Sequence, residues 1–463
     1  MAFASYYPLE PGKENVFVVQ TTPIKYGPGC VAELGAEAKA MGLARVALFT
    51  DRQVLDLAPA QAAIRSLQAA GVDVTVYDRT EVEPTDTSFQ EAADFAVDGD
   101  FDGFVSIGGG SVIDTAKAAN LFASHPAELL TYVNKPIGQG VPVPGPLKPH
   151  IACPTTSGTG SECTGVAVFD LVSQHVKTGI SSRFMKPNLA LVDPEFTYSL
   201  PPMVVAATGF DVLTHAIESY TAIRYTARDK PADPALRPPY QGANPHSDLG
   251  SMEAIRMGGR YLLRAVQDPE DREARNAMMY AATMAGISFG NAGVHIPHAM
   301  SYSVAGMIRD YHPEGWPGNA PICPHGLSVV INAPAAFRFT GDGDPQRHLA
   351  AAEALGADIS GARPAAAGAG LSDKLIELML AASALRDGGA KRLVLVTPYL
   401  CYMRQDMMFH PGEAISQKVV CSFLDNLFDA VITVDPHLHR TSDLSSVFPS
   451  ARAEALSAAP LLA

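Results

Sequence analysis

Apolar runs and helix-spaced apolar positions alternate through the first two-fifths of the chain. Val46–Thr50 reads as a buried strand, and the spacing over Ala60–Ala70 predicts a helix after it. The pattern repeats with a strand at Val72–Tyr77, a helix around Ser88–Val97, a strand at Phe104–Ile107 and a helical run at Ile113–Asn120. Strands and helices in this alternation predict a parallel sheet covered by helices. From about Pro201 to Leu380 the β-rich runs nearly vanish, and Ala/Met/Leu-rich helical periodicity replaces them, with the change near Asp193–Pro201. Near residue 385 the text changes again. KRLVLVTPYL, a helical stretch over Glu413–Phe428 and AVITVD read as one more strand–helix–strand unit, while Ala362–Ala369 reads as a loop. The expectation is an α/β domain with a parallel sheet over 1–196, an all-α domain over 197–384, and a short appended α/β segment over 385–463.

Composition narrows the class. With 463 residues, 47% hydrophobic and 18% charged, the chain suits two or three globular domains with a large core. A net charge of -14 argues against a nucleic-acid or anionic-membrane surface. Cys30, Cys153, Cys163, Cys323, Cys401 and Cys421 show no CxxC pair or framework spacing, which reads as reduced thiols. MAFASYYPLEPGKENVF has neither the basic-then-apolar layout of a signal peptide nor an Arg-rich amphipathic segment. Together these predict a cytoplasmic protein. No run of 18 apolar residues is long enough to span a membrane.

Candidate chemistry begins at Gly108-Gly109-Gly110-Ser111, between the strand Phe104–Ile107 and the helical run Ile113–Asn120. Glycines at such a turn let backbone N–H groups approach a pyrophosphate, and the helix N-terminus favours the negative charge. Asp114 falls in the first helical turn, where an acid suits the dipole. A tight structural turn is the plainer reading of GGGS taken alone, and the ordinary G-x-G-x-x-G fingerprint is absent. A second loop, Pro154-Thr155-Thr156-Ser157-Gly158-Thr159-Gly160-Ser161-Glu162, offers hydroxyls and glycines to a nucleotide, or is a plain polar loop. Asp51 closes the strand Val46–Thr50, where a carboxylate accepts from a ribose hydroxyl and repels a 2′-phosphate, favouring NAD over NADP.

Asp211 and His215, at i and i+4 in GFDVLTHAIESY, share one helix face. Two more histidine clusters follow, His295-Ile-Pro-His298 and Pro324-His325-Gly326. One carboxylate with three imidazoles suits Fe²⁺ or Zn²⁺ with a position left open for a substrate oxygen. A cation there lowers the pKa of a hydroxyl, and hydride then leaves the carbinol carbon for a nicotinamide. Against this stands the plainer reading of a surface Asp–His pair and two satisfied core histidines.

From about Val16 to Leu380 the chain resembles the iron-containing (group III) alcohol dehydrogenases, and within them the hydroxyacid-oxoacid transhydrogenase branch. The segments that carry the likeness are GGGSVIDTAK, PTTSGTGSE, KTGISSRFMKPNLALVDPE, GFDVLTHAIESY, HAMSY and PHG. The resemblance implies a dinucleotide-binding α/β domain, a helical domain, and a cleft between them for NAD and a divalent metal, Fe²⁺ first and Zn²⁺ second. Carried over by motif, the metal ligands are Asp211, His215, His298 and His325, with HAMSY selecting His298 over His295. Gly109, Gly110, Ser111, Thr155, Thr156, Thr159, Thr164, Val168 and Lys177 match nucleotide-contacting positions, with Asp51 at the adenosine ribose. Where many relatives carry a further histidine this chain has Tyr302, which puts a histidine proton relay in doubt and leaves Tyr302 as a group that bonds substrate.

Two features point to the transhydrogenase branch. They are EPTDTSF (Glu83–Phe89) and the segment Arg237-Pro-Pro-Tyr240-Gln-Gly-Ala-Asn244-Pro, whose Arg237, Tyr240 and Asn244 are candidates to grip a substrate carboxylate; a Pro-rich surface loop is the alternative. The implied reaction oxidises a hydroxy acid such as 4-hydroxybutyrate to its semialdehyde, and retained NADH reduces an oxo acid such as 2-oxoglutarate to 2-hydroxyglutarate. The implied partners are these small molecules, with a homo-oligomer as a further option. The alternative is a plain NAD(P)-dependent iron alcohol dehydrogenase.

Residues 385 to about 449 resemble instead an internal fragment of ribose-phosphate pyrophosphokinase, through LVLVTPYLCYMRQD, FHPGEAISQK and AVITVDPHLHR. That likeness puts Arg404 and Gln405 at an ATP-contacting pair and His437 at a metal-phosphate position. The family's ribose-phosphate loop is missing, so a nucleotide-binding or synthase-like role from the tail ranks last, and a fusion, a sequence-assembly artefact and a recombined design stand as its alternative origins. One strand–helix–strand unit cannot bury its apolar faces alone.

Overall fold

The computed structural model describes residues 6–357 except 8 and 175, residue 359, and in the tail 394–397, 421, 430–434, 443–450 and 452–456. Its first half runs β1 (Ile24–Tyr26), α1 (Leu34–Ala40), β2 (Arg45–Phe49), α2 (Arg52–Leu55), α3 (Ala58–Ala69), β3 (Asp73–Tyr77), α4 (Asp86–Asp98), β4 (Gly103–Gly108), α5 (Gly110–Ser124) and β5 (His150–Pro154). A hairpin of β6 (Val166–Leu171) and β7 (Val176–Ser181) precedes β8 (Leu189–Val192). Six strands form one sheet in the order β1-β8-β5-β4-β2-β3, and every pair in it is parallel.

The two-residue period of a strand explains why both faces are covered. Val46 and Leu48 of β2 pack with Leu34, Ala63 and Leu67 from α1 and α3. Ala47 and Phe49 point the other way, into a cluster with Ala92, Ala96, Val112 and Ala116 from α4 and α5. All six residues of β4 are buried, as expected of a central parallel strand. After β3 reaches the sheet edge, the chain crosses back to place β4 on the far side of β2. The carboxyl end of β4, carrying the glycine turn, therefore lies at the topological switch point, where open α/β sheets bind ligands.

Beyond Val192 no strand forms before Val394 among the described residues. The helices are α6 (Pro202–Thr221), α7 (Pro245–Gln267), α8 (Arg272–Ala292), α9 (Ile296–Gly306), α10 (His325–Val330), α11 (Ala333–Thr340) and α12 (Pro345–Leu355). Val212, Leu213 and Ile217 of α6 meet Ile255 and Leu262 of α7, Met278 and Ala282 of α8 and Phe337 of α11 in one core. Among the described residues no helix is long and apolar enough to cross a membrane.

In the tail, β9 (Val394–Thr397) and β10 (Ala430–Val434) appear where strands are expected. A third strand, β11 (Arg452–Leu456), joins them in a parallel sheet of order β11-β10-β9, so the unit has one more strand than expected. The helix expected over Glu413–Phe428, the loop expected at Ala362–Ala369, and Arg404, Gln405 and His437 lie outside the described residues.

Candidate active site

Helix α6 is buried on nearly all sides, and it carries Asp211, His215 and Glu218 at i, i+4 and i+7, on one face. Facing it, α9 supplies His298 in its first turn, and α10 opens with His325. The ligand atoms of Asp211, His298 and His325 all lie within 4.8 Å of one another. His298 Nε2 is 3.3 Å and His325 Nε2 3.8 Å from the same oxygen, Asp211 Oδ1. His215 stands beside this triad with its ring stacked between Phe289, at 4.1 Å, and His298, at 4.2 Å. Its Nδ1 approaches Asp211 Oδ1 at 3.5 Å yet is buried without a hydrogen-bond partner. A buried imidazole nitrogen lacking a partner beside three converging donors is what a cation would satisfy, so the residues present fit a divalent metal.

Electrostatics agree. Burial pushes His215 well below, and His325 below, the usual imidazole range, which keeps their lone pairs free to ligate. Burial would raise the Asp211 carboxyl, but His215, His325 and His298 hold it well below the carboxylate range. Burial also opposes charging of His298, but the carboxylates of Glu218 and Asp211 outweigh it and push His298 up to about 10.

His295 is not part of the cluster, since its Nε2 pairs with Thr221 Oγ1 at 3.1 Å. Glu218, fully buried, accepts from the backbone N–H of His298 and hydrogen-bonds its Nδ1. Motif reading passed over Glu218 although it lies one turn beyond His215, and that spacing was its signal.

From this cluster a cleft of about 860 Å³, counting its open mouth, runs to the glycine turn. Gly110, Ser111, Asp114, Thr159, Thr164, Val168, Lys177, Tyr240 and Tyr302 line it together with His215, His298 and His325. A Cβ at Gly110 would come within 2.7 Å of Thr159, so the glycine lets the two loops close on one another. Gly109 caps α5 just behind the lining and faces Thr156, while the Thr155 N–H donates to Gly108. Asp114 is a buried hub rather than a free acid: it accepts from Ser161 Oγ at 2.7 Å and the Val168 N–H at 3.0 Å. Asp51 sits at the end of β2 and its side chain caps α2 through the Val54 N–H.

Among the described residues that line the cleft, Lys177 is the one lysine or arginine, held by Glu83 and, at 2.9 Å, by Asp170. Burial disfavours its charge, but these two carboxylates raise its pKa above the usual lysine value. Glu83 takes a left-handed backbone (φ 57), uncommon for a residue with a side chain, and its N–H donates to Ser111 Oγ. Burial raises the Tyr302 phenol, so it stays a proton donor at neutral pH.

Two expected substrate residues lie elsewhere. Arg237 forms a two-point ion pair with Glu14, at 2.8 and 3.2 Å, and Asn244 is the N-cap of α7, accepting from the N–H groups of His246 and Ser247. Neither lines the cleft, and of that segment only Tyr240 does. The guanidinium went to a partly buried carboxylate brought from the far N-terminus, and the asparagine to an unsatisfied helix end.

Residues 21–194 match the family of iron-containing alcohol dehydrogenases, and 240–395 the C-terminal part of the Fe-containing alcohol dehydrogenase family. Residues 365–427 match the N-terminal domain of ribose phosphate pyrophosphokinase. The chain is 51% identical over 364 residues to the mitochondrial hydroxyacid-oxoacid transhydrogenases of Bos taurus and Homo sapiens, covering 78% of each chain. Its fold is similar to that of 1,3-propanediol oxidoreductase (TM-score 0.69, 27% identity, 81% of this chain and 90% of that one). It is also similar to sulfoacetaldehyde reductase from Bifidobacterium kashiwanohense in complex with NAD⁺ (TM-score 0.65, 27% identity, 79% and 86%). The cytoplasmic location expected from the thiols and the N-terminal text is corrected here, because these relatives are named mitochondrial. Thiol content reports redox state, which a cytoplasm and a mitochondrial interior share.

Proposed function

The chain belongs to the iron-containing alcohol dehydrogenases, and from that premise we propose that it is a hydroxyacid-oxoacid transhydrogenase. It oxidises a small hydroxy acid such as 4-hydroxybutyrate to the semialdehyde and reduces an oxo acid such as 2-oxoglutarate. The observation that carries the reading is the meeting of Asp211, His298 and His325 beside the partnerless Nδ1 of His215, at one end of a cleft whose other end is the glycine turn.

In this reading Asp211, His215, His298 and His325 hold a divalent cation, Fe²⁺ by family and Zn²⁺ by donor set. Gly109, Gly110, Ser111, Thr155, Thr156, Thr159, Thr164 and Val168 seat the dinucleotide, with Asp51 at its ribose and the N-terminus of α5 facing its phosphates. The bound metal supplies Lewis acidity toward a hydroxyl, and the nicotinamide supplies the hydride acceptor. Lys177 offers positive charge to an anionic group of cofactor or substrate. The Tyr302 phenol donates to a substrate oxygen. Phe289, Val294 and Val168 line the cleft with apolar surface and keep water from the reacting carbon. Residues 1–196 form the dinucleotide-binding domain, 197–384 the helical domain and 385–463 the appended segment.

The test is an assay of the anaerobically Fe²⁺-loaded full chain with 4-hydroxybutyrate and 2-oxoglutarate, with and without added NAD. Formation of 2-hydroxyglutarate without added NAD supports the reading. Turnover of simple alcohols with free NAD and no dependence on the oxo acid makes the protein a plain dehydrogenase. No oxidation of any hydroxy acid or alcohol by metal-loaded protein contradicts both.

A further inference from the structure

Glu218 has no role in the reading above, yet it is fully buried among the histidines. It lies two turns beyond Asp211 and one beyond His215 on α6, so the same helix face presents all three side chains. Oε1 accepts the backbone N–H groups of His298 at 3.1 Å and His295 at 3.3 Å, and Oε2 takes the Nδ1 of His298. No lysine or arginine is among these partners, and a carboxylate removed from water is costly unless it is paired. Its pairing with His298 is therefore a strong constraint on that ring.

We propose that Glu218 is a positioning residue that fixes the orientation and tautomer of His298, so that Nε2 faces the metal site. The inference rests on the metal reading above. A carboxylate has only acceptors, so Nδ1 must carry the proton that bonds to it. The other ring nitrogen, Nε2, is then the ligating one, and it is the nitrogen that lies 3.3 Å from Asp211 Oδ1. The same side chain holds the backbone at the start of α9, so ring and helix are set by one group.

Glutamine at this position tests the idea, because its amide has the same shape and only one acceptor. If the amide oxygen keeps the two backbone N–H groups, the NH₂ faces Nδ1. Nδ1 must then accept, and the ring proton moves to Nε2, where it blocks ligation. If the amide is turned over, its NH₂ meets two backbone donors. Either arrangement works against the metal and leaves the glycine-turn end of the cleft intact.

The experiment measures Co²⁺ and Zn²⁺ affinity by competition with a chelator, the visible spectrum of the Co²⁺-loaded protein, and NADH affinity by fluorescence, in wild type, Glu218→Gln and Glu218→Asp. The expected result is metal binding 10- to 100-fold weaker in Glu218→Gln with an altered Co²⁺ spectrum, a smaller loss in Glu218→Asp, and NADH affinity within about twofold of wild type. Metal affinity within twofold of wild type and an unchanged Co²⁺ spectrum in Glu218→Gln overturns the proposal. So does equal loss of metal and NADH binding in both variants, which marks a general folding role. A wild type that binds no metal removes the underlying reading as well, and is told apart by its own titration.

Discussion

Gly326 offers a sharp perturbation of the metal cluster from a residue that supplies no ligand. It follows His325 at the start of α10, where the first turn rests directly on α6. A Cβ built there would lie 1.9 Å from the carbonyl oxygen of Ala207 and 3.0 Å from the Cβ of Asp211. An ordinary carbon–oxygen approach is about 3.3 Å, so the helices would have to separate by roughly 1.4 Å. Both neighbours are backbone or near-backbone atoms of a buried helix, so no flexible side chain can absorb the clash. The separation carries His325 away from Asp211, while metal–ligand distances tolerate only about 0.2 Å. Displacement of about 1 Å costs on the order of 100-fold in a positioned site, or roughly 2.7 kcal/mol. Gly326→Ala is therefore expected to bind Zn²⁺ or Co²⁺ at least about 100-fold more weakly in chelator competition and to lose hydroxy-acid oxidation in proportion. Gly145→Ala is the control, since the nearest atom to its Cβ, His125 Cε1, is 4.0 Å away. A Gly326→Ala protein with metal affinity within threefold of wild type would refute the close approach of α10 to α6.

Two further outcomes follow from groups outside the metal cluster. His150, buried in β5 with Nε2 2.8 Å from Ser106 Oγ, is pushed by burial down to about 3. Its unfolded value is about 6.5, so this stabilisation is complete above that pH and is lost as pH falls toward the folded value, at up to about 1.4 kcal/mol per pH unit. Urea midpoints at pH 6.5, 5.5 and 4.5 are expected to fall less steeply in His150→Gln than in wild type, and parallel curves would count against it. Arg237→Met is expected to keep the KM for the hydroxy acid within about twofold while lowering the urea midpoint, because Glu14 loses its two-point partner. A tenfold rise in KM would return Arg237 to the substrate.

Local patterning made the framework legible. Short apolar runs and the glycines after one of them mark β2, β4 and the turn into α5, because those signals need only neighbours in the chain. Asp211 and His215 were legible for the same reason, being one helical turn apart. Their meeting with His298 and His325 was not, since it depends on how α9 and α10 dock against α6. The strand order and the third strand of the tail likewise depend on pairings between distant segments.

Arg237 shows the converse difficulty. Its chemistry suits a carboxylate, and it has one, but Glu14 is 223 positions away in the chain. Asn244 carries a local signal, since Asn-Pro with a serine three residues on is a helix-start signature, and both halves of that capping box form. Glu218 was visible by spacing alone, but a glutamate on a helix carries no message until its burial is known.

Anomalous diffraction from crystals of the anaerobically metal-loaded protein tests the four-ligand cluster most directly. One peak is expected per chain, with an oxygen of Asp211 and a ring nitrogen of each of His215, His298 and His325 about 2.0–2.2 Å from it. A peak elsewhere, or one in the cleft that leaves Asp211 beyond bonding distance, would contradict it.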